Sequence, residues 1–546
     1  MYFKHMRVQI KRTFNGWRIV SLLGAAAILL PILLVFLSIF ETPNDNWLQI
    51  KRYLIKDYMV QTIELTVITG VLTTFLGVSL AWLVAVYDFP GKRFFRWALV
   101  LPLAIPPYIA AYTYSTMFSY TGFVQKTLRN EWGILPKQEW ITLSSMRGAV
   151  IIFTLFLFPY VYLITRAFFE KQSASYIENA RLLGRSPLSI FLRVALPLSR
   201  PAIVGGVSLV VFEVLSDYGV TNYFGLHTIS TAIFQTWFGM YDVESAMRLA
   251  AWLMIIVVGM FILERFLRSH RAYSSTTSKS NPLVPRRLTG LAKWSASIVC
   301  LIIWSFAFFI PLIQLLAWAS WTFESIWKDE FFSYLYRTLY VAVLSTCMIM
   351  IFSVIVGAVN RSRSTFSYML SKGVTAGYSV PGAIIAIGVL ALFLRLDRIF
   401  ASMYHGLGFG GTPVVLSLTV VMLVCGYVIR FMATGYNAVD MGFEKVGRKY
   451  TEASRLLGMS FTRTFFRVDF PLIKGAVISG FILTFVEICK ELPLALLLRP
   501  FNFDTLATKT YQYANNEQIY EAAIPSLLII GISFTSVYVL QYLDRK

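Results

Sequence analysis

Long apolar runs, separated by short polar segments, recur along the whole chain. Each run can cross a bilayer, because about 20 helical residues at 1.5 Å each span its hydrocarbon core. Lipid offers no partner for open backbone groups, so a crossing segment of this kind must be helical. The pattern predicts an all-α polytopic membrane protein with twelve spans, near residues 17–40, 60–87, 95–118, 147–168, 201–222, 247–266, 292–320, 338–359, 373–394, 412–436, 473–497 and 521–542.

A polar, basic segment interrupts this pattern twice, once in each half of the chain. Residues 176–198 and 450–472 lie 274 residues apart and are identical at twelve of 23 aligned positions, without a gap. An internal repeat of this kind indicates a repeated structural unit. Pro107 and Pro381 follow the same offset. Because six predicted spans separate the copies, the two repeats are predicted to be parallel, related by an axis along the membrane normal.

A segment of different composition separates the two halves. Residues 268–290 are rich in Ser, Thr, Pro and basic residues, which is typical of a linker. We therefore predict a first six-span half over 1–267, a cytoplasmic linker over 268–290 and a second six-span half over 291–546.

The composition supports a membrane protein and limits what the charge can mean. Only 14% of the 546 residues are charged, against about 25% in soluble domains. The net charge of +21 could suggest nucleic acid as a partner. Most Lys and Arg, however, fall in segments that face the cytoplasm when both termini are placed there, which is the positive-inside pattern. The charge therefore indicates orientation and contact with anionic lipid, and no nucleic acid is expected. The four cysteines lie far apart in apolar runs and show no metal-binding spacing.

The repeated segment itself predicts a helix, a turn and a second short helix on the cytoplasmic side. The first helix, over 174–183, carries Ile177, Ala180 and Leu183 at helical spacing. The predicted stop, N-cap and exit positions are Gly184, Ser186 and Pro197 in the first copy and Gly458, Ser460 and Pro471 in the second. A charged helix with an apolar stripe is typical of one that lies in a groove of a partner. The alternative is an amphipathic helix that lies on the lipid surface.

Carboxylates inside two predicted spans are candidates for a substrate path. Glu213 and Asp217 share one span, and Glu487 and Glu491 share another, each pair at i, i+4 spacing that predicts one helix face. A charge inside a span indicates function by default, and four carboxylates suit a hard cation. Lys490 would reduce their field, so we expect a transient passage and no resident metal. The alternative is that the acids pair with Lys490 and other polar groups and hold helices together.

The doubled segment resembles the EAA loop of bacterial ABC-importer permeases. The matches are Glu178-Asn179-Ala180, Gly184 and Val194-x-Leu196-Pro197 in the first copy, and Glu452-Ala453-Ser454, Gly458 and Val468-x-Phe470-Pro471 in the second. The departures are Asn179 and Ser454 for Ala, Val for Ile, and Phe470 for Leu. The resemblance extends over essentially the whole chain.

This resemblance implies a transport subunit that is not itself an enzyme. In such permeases the loop is a coupling helix that sits in a cleft of a separate ATP-hydrolysing subunit. The residues implied in coupling are Glu178, Ala180, Gly184, Pro197, Glu452, Ala453, Gly458 and Pro471. The expected partners are two copies of the ATPase, which would hold ATP and Mg, and an extracytoplasmic binding protein. The expected location is the bacterial inner membrane. No phosphate-binding loop occurs in this chain, since Gly91-Lys92 lacks both the upstream glycine and the following hydroxyl.

Three further stretches resemble the fused, twelve-span ferric-iron permeases: residues 101–112, 212–225 and 490–513. Ferric iron is therefore the expected substrate. Polyamine, thiamine, sulfate or phosphonate remain open, because relatives of this layout carry them. A secondary cation transporter, with the four acids as a proton relay, is the alternative from another class.

Overall fold

The computed structural model describes residues 16–134, 137, 141–171, 174–269, 283–361, 364–375, 377, 380–406 and 414–544. Nearly all of this part of the chain is helical. The middle of the predicted linker, residues 270–282, lies outside the described residues.

The first half contains thirteen of the helices described. They are α1 (Gly16–Leu37), α2 (Asp45–Tyr53), α3 (Ile55–Val86), α4 (Lys92–Ala98), α5 (Pro107–Met117), α6 (Phe123–Asn130), α7 (Met146–Lys171), α8 (Ala174–Leu182), α9 (Pro187–Ile190), α10 (Leu196–Ser216), α11 (Gly219–Tyr223), α12 (Ile229–Met240) and α13 (Val243–Ser269). Short 3-10 turns cover Ser38–Phe40 and Leu101–Ala104. A π-helical turn over Phe191–Ala195 joins α9 to α10.

The second half repeats much of this order. Its helices are α14 (Leu291–Trp304), α15 (Ile310–Ile326), α16 (Asp329–Asn360), α17 (Thr365–Thr375), α18 (Gly382–Gly406), α19 (Val420–Val446), α20 (Lys449–Leu456), α21 (Phe461–Thr464), α22 (Phe470–Lys490), α23 (Pro493–Leu498), α24 (Leu506–Asn515) and α25 (Ala523–Asp544). π-helical turns cover Ser305–Phe309 and Phe465–Asp469. Two two-residue strands, β1 (Tyr87–Asp88) and β2 (Arg286–Arg287), pair in parallel.

The described helices support fewer spans than the twelve predicted. Nine helical segments within the described ranges are long and apolar enough to cross a membrane, or ten if a bent pair counts as one span. The bent pair, Lys92–Ala104 and Pro107–Met117, falls on the predicted span 95–118 and turns by 90°. Pro106 and Pro107 lie at the bend, where proline cannot continue a hydrogen-bonded helix. The count of twelve and the cytoplasmic termini stay predictions.

The 274-residue offset holds for the helices as well as for the repeated segment. It relates the bounds of α3 to those of α16 and the bounds of α10 to those of α22 at both ends. The two π-helical turns that precede α10 and α22 obey the same offset. The halves are therefore two copies of one structural unit.

The helix that begins each half packs against the other half. In the first half, α1 packs on α16, α17 and α18, and the indole of Trp17 contacts the rings of Phe461 and Phe465. In the second, the Trp304 ring of α14 contacts that of Phe94, 5.2 Å away. The boundary between the predicted halves therefore divides the sequence but not the packing, because the first helix of each half packs against the other half.

Small residues bring the spans of one half close together. A Cβ on Gly77 of α3 would lie 2.8 Å from the Cβ of Val161, and one on Gly206 of α10 would lie 2.7 Å from its Cα. Both distances are shorter than carbon atoms tolerate, so α3 and α10 can approach α7 this closely only because the two residues lack side chains.

Candidate functional site

The repeated segment forms the same helix–turn–helix in both halves. After α8 the backbone turns at Gly184, with φ of 71°, and after α20 it turns at Gly458, with φ of 84°. These left-handed values favour glycine, as the C-cap pattern predicts. The Ser186 hydroxyl then accepts from the backbone N–H of Ser189, and the Ser460 hydroxyl from that of Arg463. The predicted N-caps are confirmed.

The exit of the segment differs from the prediction. A short helix ending at Pro197 or Pro471 was expected, with a span beginning there. Instead, the π-helical turns lead directly from α9 into α10 and from α21 into α22, so each half has a 30-residue helical rod, Pro187–Ser216 and Phe461–Lys490. Both prolines lie in the first turn of the long helix, where the missing N–H costs little. Turns of this π type are often found at functional sites.

The tips of the two turns expose leucines. The exposed fractions are 85% for Leu182, 80% for Leu183, 88% for Leu456 and 84% for Leu457. Of the apolar stripe that was predicted to lie in a partner's groove, Ile177 and Ala180 are buried within the chain itself, and only Leu183, which follows the last residue of α8, is exposed. An apolar pair exposed at both tips is typical of a surface that a partner covers.

The remaining residues of the repeated segment divide into buried and accessible positions. Ala180 is buried, whereas Ala453 is exposed. The position that matches Ala180 at the 274-residue offset is Ser454, which is buried and within hydrogen-bond distance of the Thr464 hydroxyl, 3.0 Å away. Glu178 is half-buried, while Glu452, Pro197 and Pro471 are exposed.

The described end of the linker contacts the first of these turns. The backbone N–H of Val284 donates to a carboxylate oxygen of Glu178 over 3.4 Å, and Arg181 donates to the Val284 carbonyl over 3.2 Å. The strand β2 continues from there along β1. Glu178 therefore has a hydrogen-bond partner within its own chain, while Leu182 and Leu183 at the tip of the turn remain exposed.

The four predicted acids line one cavity between the two halves. The cavity measures about 200 Å³, and Glu213, Asp217, Glu487 and Glu491 all border it. They lie at the opposite end of the 30-residue rods from the two turns, so about 45 Å of helix separates the two features. Gly382 borders Glu491 so closely that a Cβ there would lie 2.9 Å from the carboxylate.

The predicted arrangement of each acid pair on one helix face is wrong. The long helices end at Ser216 and Lys490, so Asp217 and Glu491 stand in the break between a rod and the short helix that follows. The Asp217 carboxylate accepts from the backbone N–H groups of Val220 and Thr221, and Glu491 from that of Leu494. These two acids cap short helices, while Glu213 and Glu487 remain on the rods. Broken helices in a membrane are typical of substrate sites.

Two cations share the cavity with the acids. The Lys490 ammonium lies 2.8 Å from a Glu487 oxygen, which fits the predicted pairing. Sequence reasoning missed Arg430, whose guanidinium donates to the Val380 carbonyl and to the Ser216 hydroxyl. The sequence did contain a signal for Arg430, because a charged residue inside an apolar run, here 412–436, indicates a functional role. At the 274-residue offset Arg430 and Lys490 match Phe156 and Ser216, so both cations come from the second half.

No resident metal centre is visible in the described part of the chain. Within it, no three His, Cys, Asp or Glu side chains approach closely enough to hold an ion. The cavity acids are instead occupied by helix caps, by Lys490 and, for Glu213, by the Tyr160 hydroxyl 3.5 Å away.

Comparison with known proteins identifies the family of this chain. The family described as "Binding-protein-dependent transport system inner membrane component" matches twice, over residues 75–269 and 349–546. The chain belongs to this family. It is therefore a permease component of a transport system, and it crosses an inner membrane several times. Members of its family work with a substrate-binding protein.

Two of the similar relatives extend over most of the chain. The Fe(3+)-transport system permease protein FbpB 2 of Haemophilus influenzae is 25% identical over 94% of this chain and 96% of its own length. The putative ferric transport system permease protein FbpB 1 of the same organism is 23% identical over 84% of this chain and 74% of its own. The molybdenum transport system permease protein ModB of Escherichia coli is 30% identical, but over 27% of this chain and 61% of its own length.

Proposed function

We propose that this permease is the membrane subunit of an ATP-driven importer of ferric iron. The observation that carries the proposal is the extent of the match to two ferric permeases, 94% and 84% of the chain. The probable sulfate transport system permease protein cysT of Chlorokybus atmophyticus has a higher identity, 32%, but the match covers only 29% of this chain and 55% of its own length.

The cavity chemistry supports a cation as the substrate. Four carboxylates face two cations there, so acids are in excess when all six groups are charged. Carboxylate oxygens are the ligands that hard cations prefer. Because the acids already have partners, an ion would be held only briefly, as a permease requires.

The two exposed turns support coupling to two copies of an ATPase. Each turn presents a leucine pair and leads into a 30-residue rod, about 45 Å long, whose far end borders the cavity. Closure of an ATP-loaded cleft around both turns would move the two rods as levers and change access to the cavity. The chain itself would hold no nucleotide.

An aromatic cluster supports delivery of the substrate from the other side. The rings of Tyr218 and Phe234 stack with centroids 3.7 Å apart, and the Asn222 amide donates to the Tyr511 hydroxyl over 2.7 Å. Tyr218 and Tyr511 come from different halves, with ring centroids 5.8 Å apart, and the Tyr511 ring lies 6.4 Å from that of Tyr108, which borders the cavity. An external binding protein would release its ion here, once the halves separate.

An oxyanion is the second candidate substrate. Arg430 and Lys490 are the kind of groups that bind an oxyanion such as sulfate or molybdate, and proteins named as a probable sulfate permease and a molybdenum permease are similar to parts of this chain. The two cations would then bind the substrate, and the acids would hold the cations in place.

Reconstitution with candidate partners distinguishes these functions. The purified chain would be placed in liposomes with a candidate ATPase and a candidate binding protein, and uptake of ferric iron, sulfate and molybdate would be measured with and without ATP. ATP-dependent iron uptake supports the proposal. Uptake of an oxyanion supports the second candidate, and ATP-independent cation uptake by the chain alone supports a secondary transporter.

A further inference from the structure

The two turns are attached to their halves in different ways. Three positions around the second turn carry Arg, Thr and Asp, whereas the positions 274 residues earlier, around the first turn, carry Tyr, Ile and Ala. The pairs are Arg361 and Tyr87, Thr451 and Ile177, and Asp469 and Ala195. Ile177 and Ala195 are fully buried, so the first turn is held there by apolar packing.

In the second half the three polar side chains form one connected network. The Arg361 guanidinium donates to the Gly447 carbonyl over 2.5 Å and to the Thr451 hydroxyl over 2.6 Å. The same hydroxyl donates to the Asp469 carboxylate over 2.5 Å. Arg361 also lies 3.9 Å from that carboxylate and 4.9 Å from the centre of the Phe443 ring.

The network is buried where it joins three helices. The side chains of Arg361 and Asp469 are 10% and 6% exposed. Arg361 directly follows α16, Thr451 lies in α20 and Asp469 in the π-helical turn before α22. Removing one member of such a pair leaves the other as a buried, uncompensated charge.

The far end of α16 is hydrogen-bonded to the start of α24. The Thr338 hydroxyl accepts from the backbone N–H of Leu506, the first residue of α24, over 2.8 Å. The same helix α24 carries Tyr511, which binds Asn222 of the other half. A continuous set of contacts thus runs from the second turn, along α16, to the contact between the halves.

We propose that Arg361, Thr451 and Asp469 are positioning residues that link movement of the second turn to α16, and through α16 to the outer contact at Tyr511. This rests on the proposed ATP-driven function. Among the described residues, the equivalent positions of the first half form no such network, and Val284 at the described end of the linker contacts Glu178 of α8 instead. The two ATPase-docking turns therefore transmit motion by different routes.

A matched pair of substitutions tests this role. Thr451→Val keeps the shape of the side chain but removes the hydroxyl that joins Arg361 to Asp469, whereas Thr451→Ser keeps the hydroxyl. In the reconstituted complex, Thr451→Val should lower substrate uptake per ATP hydrolysed about tenfold. Thr451→Ser should restore it to within about twofold of the unsubstituted chain. Thr535→Val, which removes a hydroxyl bonded only within its own helix α25, is the control and should change nothing.

A second variant removes the buried charges together. Arg361→Met with Asp469→Leu keeps the interior apolar, so it should fold even if single substitutions at these positions do not. It too should copurify with the ATPase and take up about tenfold less substrate per ATP. Normal uptake per ATP by either this variant or Thr451→Val would overturn the positioning role of the network and leave the proposed function standing. If the unsubstituted chain neither retains an ATPase nor takes up substrate with ATP, the proposed function fails first.

Discussion

Asp217 and Glu491 occupy equivalent places in the two halves: each follows the last residue of a long rod and accepts from the first turn of the short helix beyond it. The acceptor distances are 2.9 Å to the N–H of Val220 and 3.3 Å to that of Leu494. Each carboxylate therefore holds a helix break open beside the cavity. The same pair of groups can shape the cavity and border a passing ion.

Neutralising the acids of the second half tests the passage. Glu487→Gln with Glu491→Gln keeps side-chain size and the acceptor that caps Leu494, but removes two charges from the cavity. We expect ATP-dependent cation uptake to fall at least about tenfold, with the complex still assembled. Glu330→Gln, at an exposed position in α16, is the matched control.

The same variant distinguishes a passage from a helix lock. Loss of the Glu487 charge leaves Lys490 without its ion pair, which should lower the melting temperature in detergent if pairing is the main role of the acid. Adding Lys490→Met should then restore the melting temperature. Full uptake by the doubly neutralised chain would remove the passage hypothesis.

Replacing the glycine of the second turn tests coupling. At Gly458 no atom would lie within 4 Å of an added Cβ, so Gly458→Ala meets only the backbone cost of φ near 84°, about 1–2 kcal/mol. The protein should remain in the membrane with reduced uptake. Gly475→Ala, also free of contacts but in the helix α22, should transport normally. Equal uptake by both variants would contradict a role for the turn geometry.

Replacing the exposed leucines tests docking directly. Leu456→Ser with Leu457→Ser removes an apolar pair that contacts little within the chain, so the stability of the permease should change by less than about 0.5 kcal/mol. Retention of the ATPase in pull-down should fall, and fall further when Leu182→Ser and Leu183→Ser are added. Glu178→Ala with Glu452→Ala should likewise weaken retention more than either single change. Unchanged retention in the four-leucine variant would show that the partner docks elsewhere.

The orientation can be measured by thiol labelling. A cysteine at Asn515, exposed at the end of α24, should react with a membrane-impermeant reagent in intact spheroplasts. A cysteine at Ser278, which lies outside the described residues, should react only after the inner membrane is opened. The unsubstituted chain gives the background from the four native cysteines. The reverse labelling would overturn both the orientation and the docking assignment.

The acidic corner before α13 should give a pH-dependent stability. Burial alone would raise the pKa of Asp242, but hydrogen bonds from Ser245, Asn46 and Asn44 hold it below its usual value. Because the folded-state pKa is depressed, the stabilisation is fully present above about pH 4 and is lost as the pH falls through the folded-state pKa. Asp242→Asn should therefore lower the melting temperature at pH 7, by an amount that shrinks as the pH falls below about 4. A constant difference across that range would contradict the assignment.

Local features of the fold could be predicted from the sequence because their causes are local. The turns at Gly184 and Gly458 need a residue without a Cβ, and the N-caps at Ser186 and Ser460 need a hydroxyl next to the first helical turn. Both signals lie within a few residues of the structure they specify. The duplicated segment also aligned the two halves, since one offset of 274 residues predicts which positions correspond. Family membership and the position of the repeated turns were therefore readable from the sequence.

Only the tertiary structure decided how distant groups combine. The i, i+4 spacing of Glu213 and Asp217 predicted one helix face, but the rod ends between them, because the Asp217 carboxylate is satisfied by the next helix. The contacts of Arg430 with Val380 and Ser216, and of Arg361 with Asp469, join residues between 50 and 214 positions apart. Periodicity and capping report hydrogen bonds within one turn of chain, whereas the energy of a buried charge depends on which remote groups the packed helices bring to it. The sequence by itself thus determined the repeated unit and its turns, and the packing of the two units against each other decided the cavity and the network that join them.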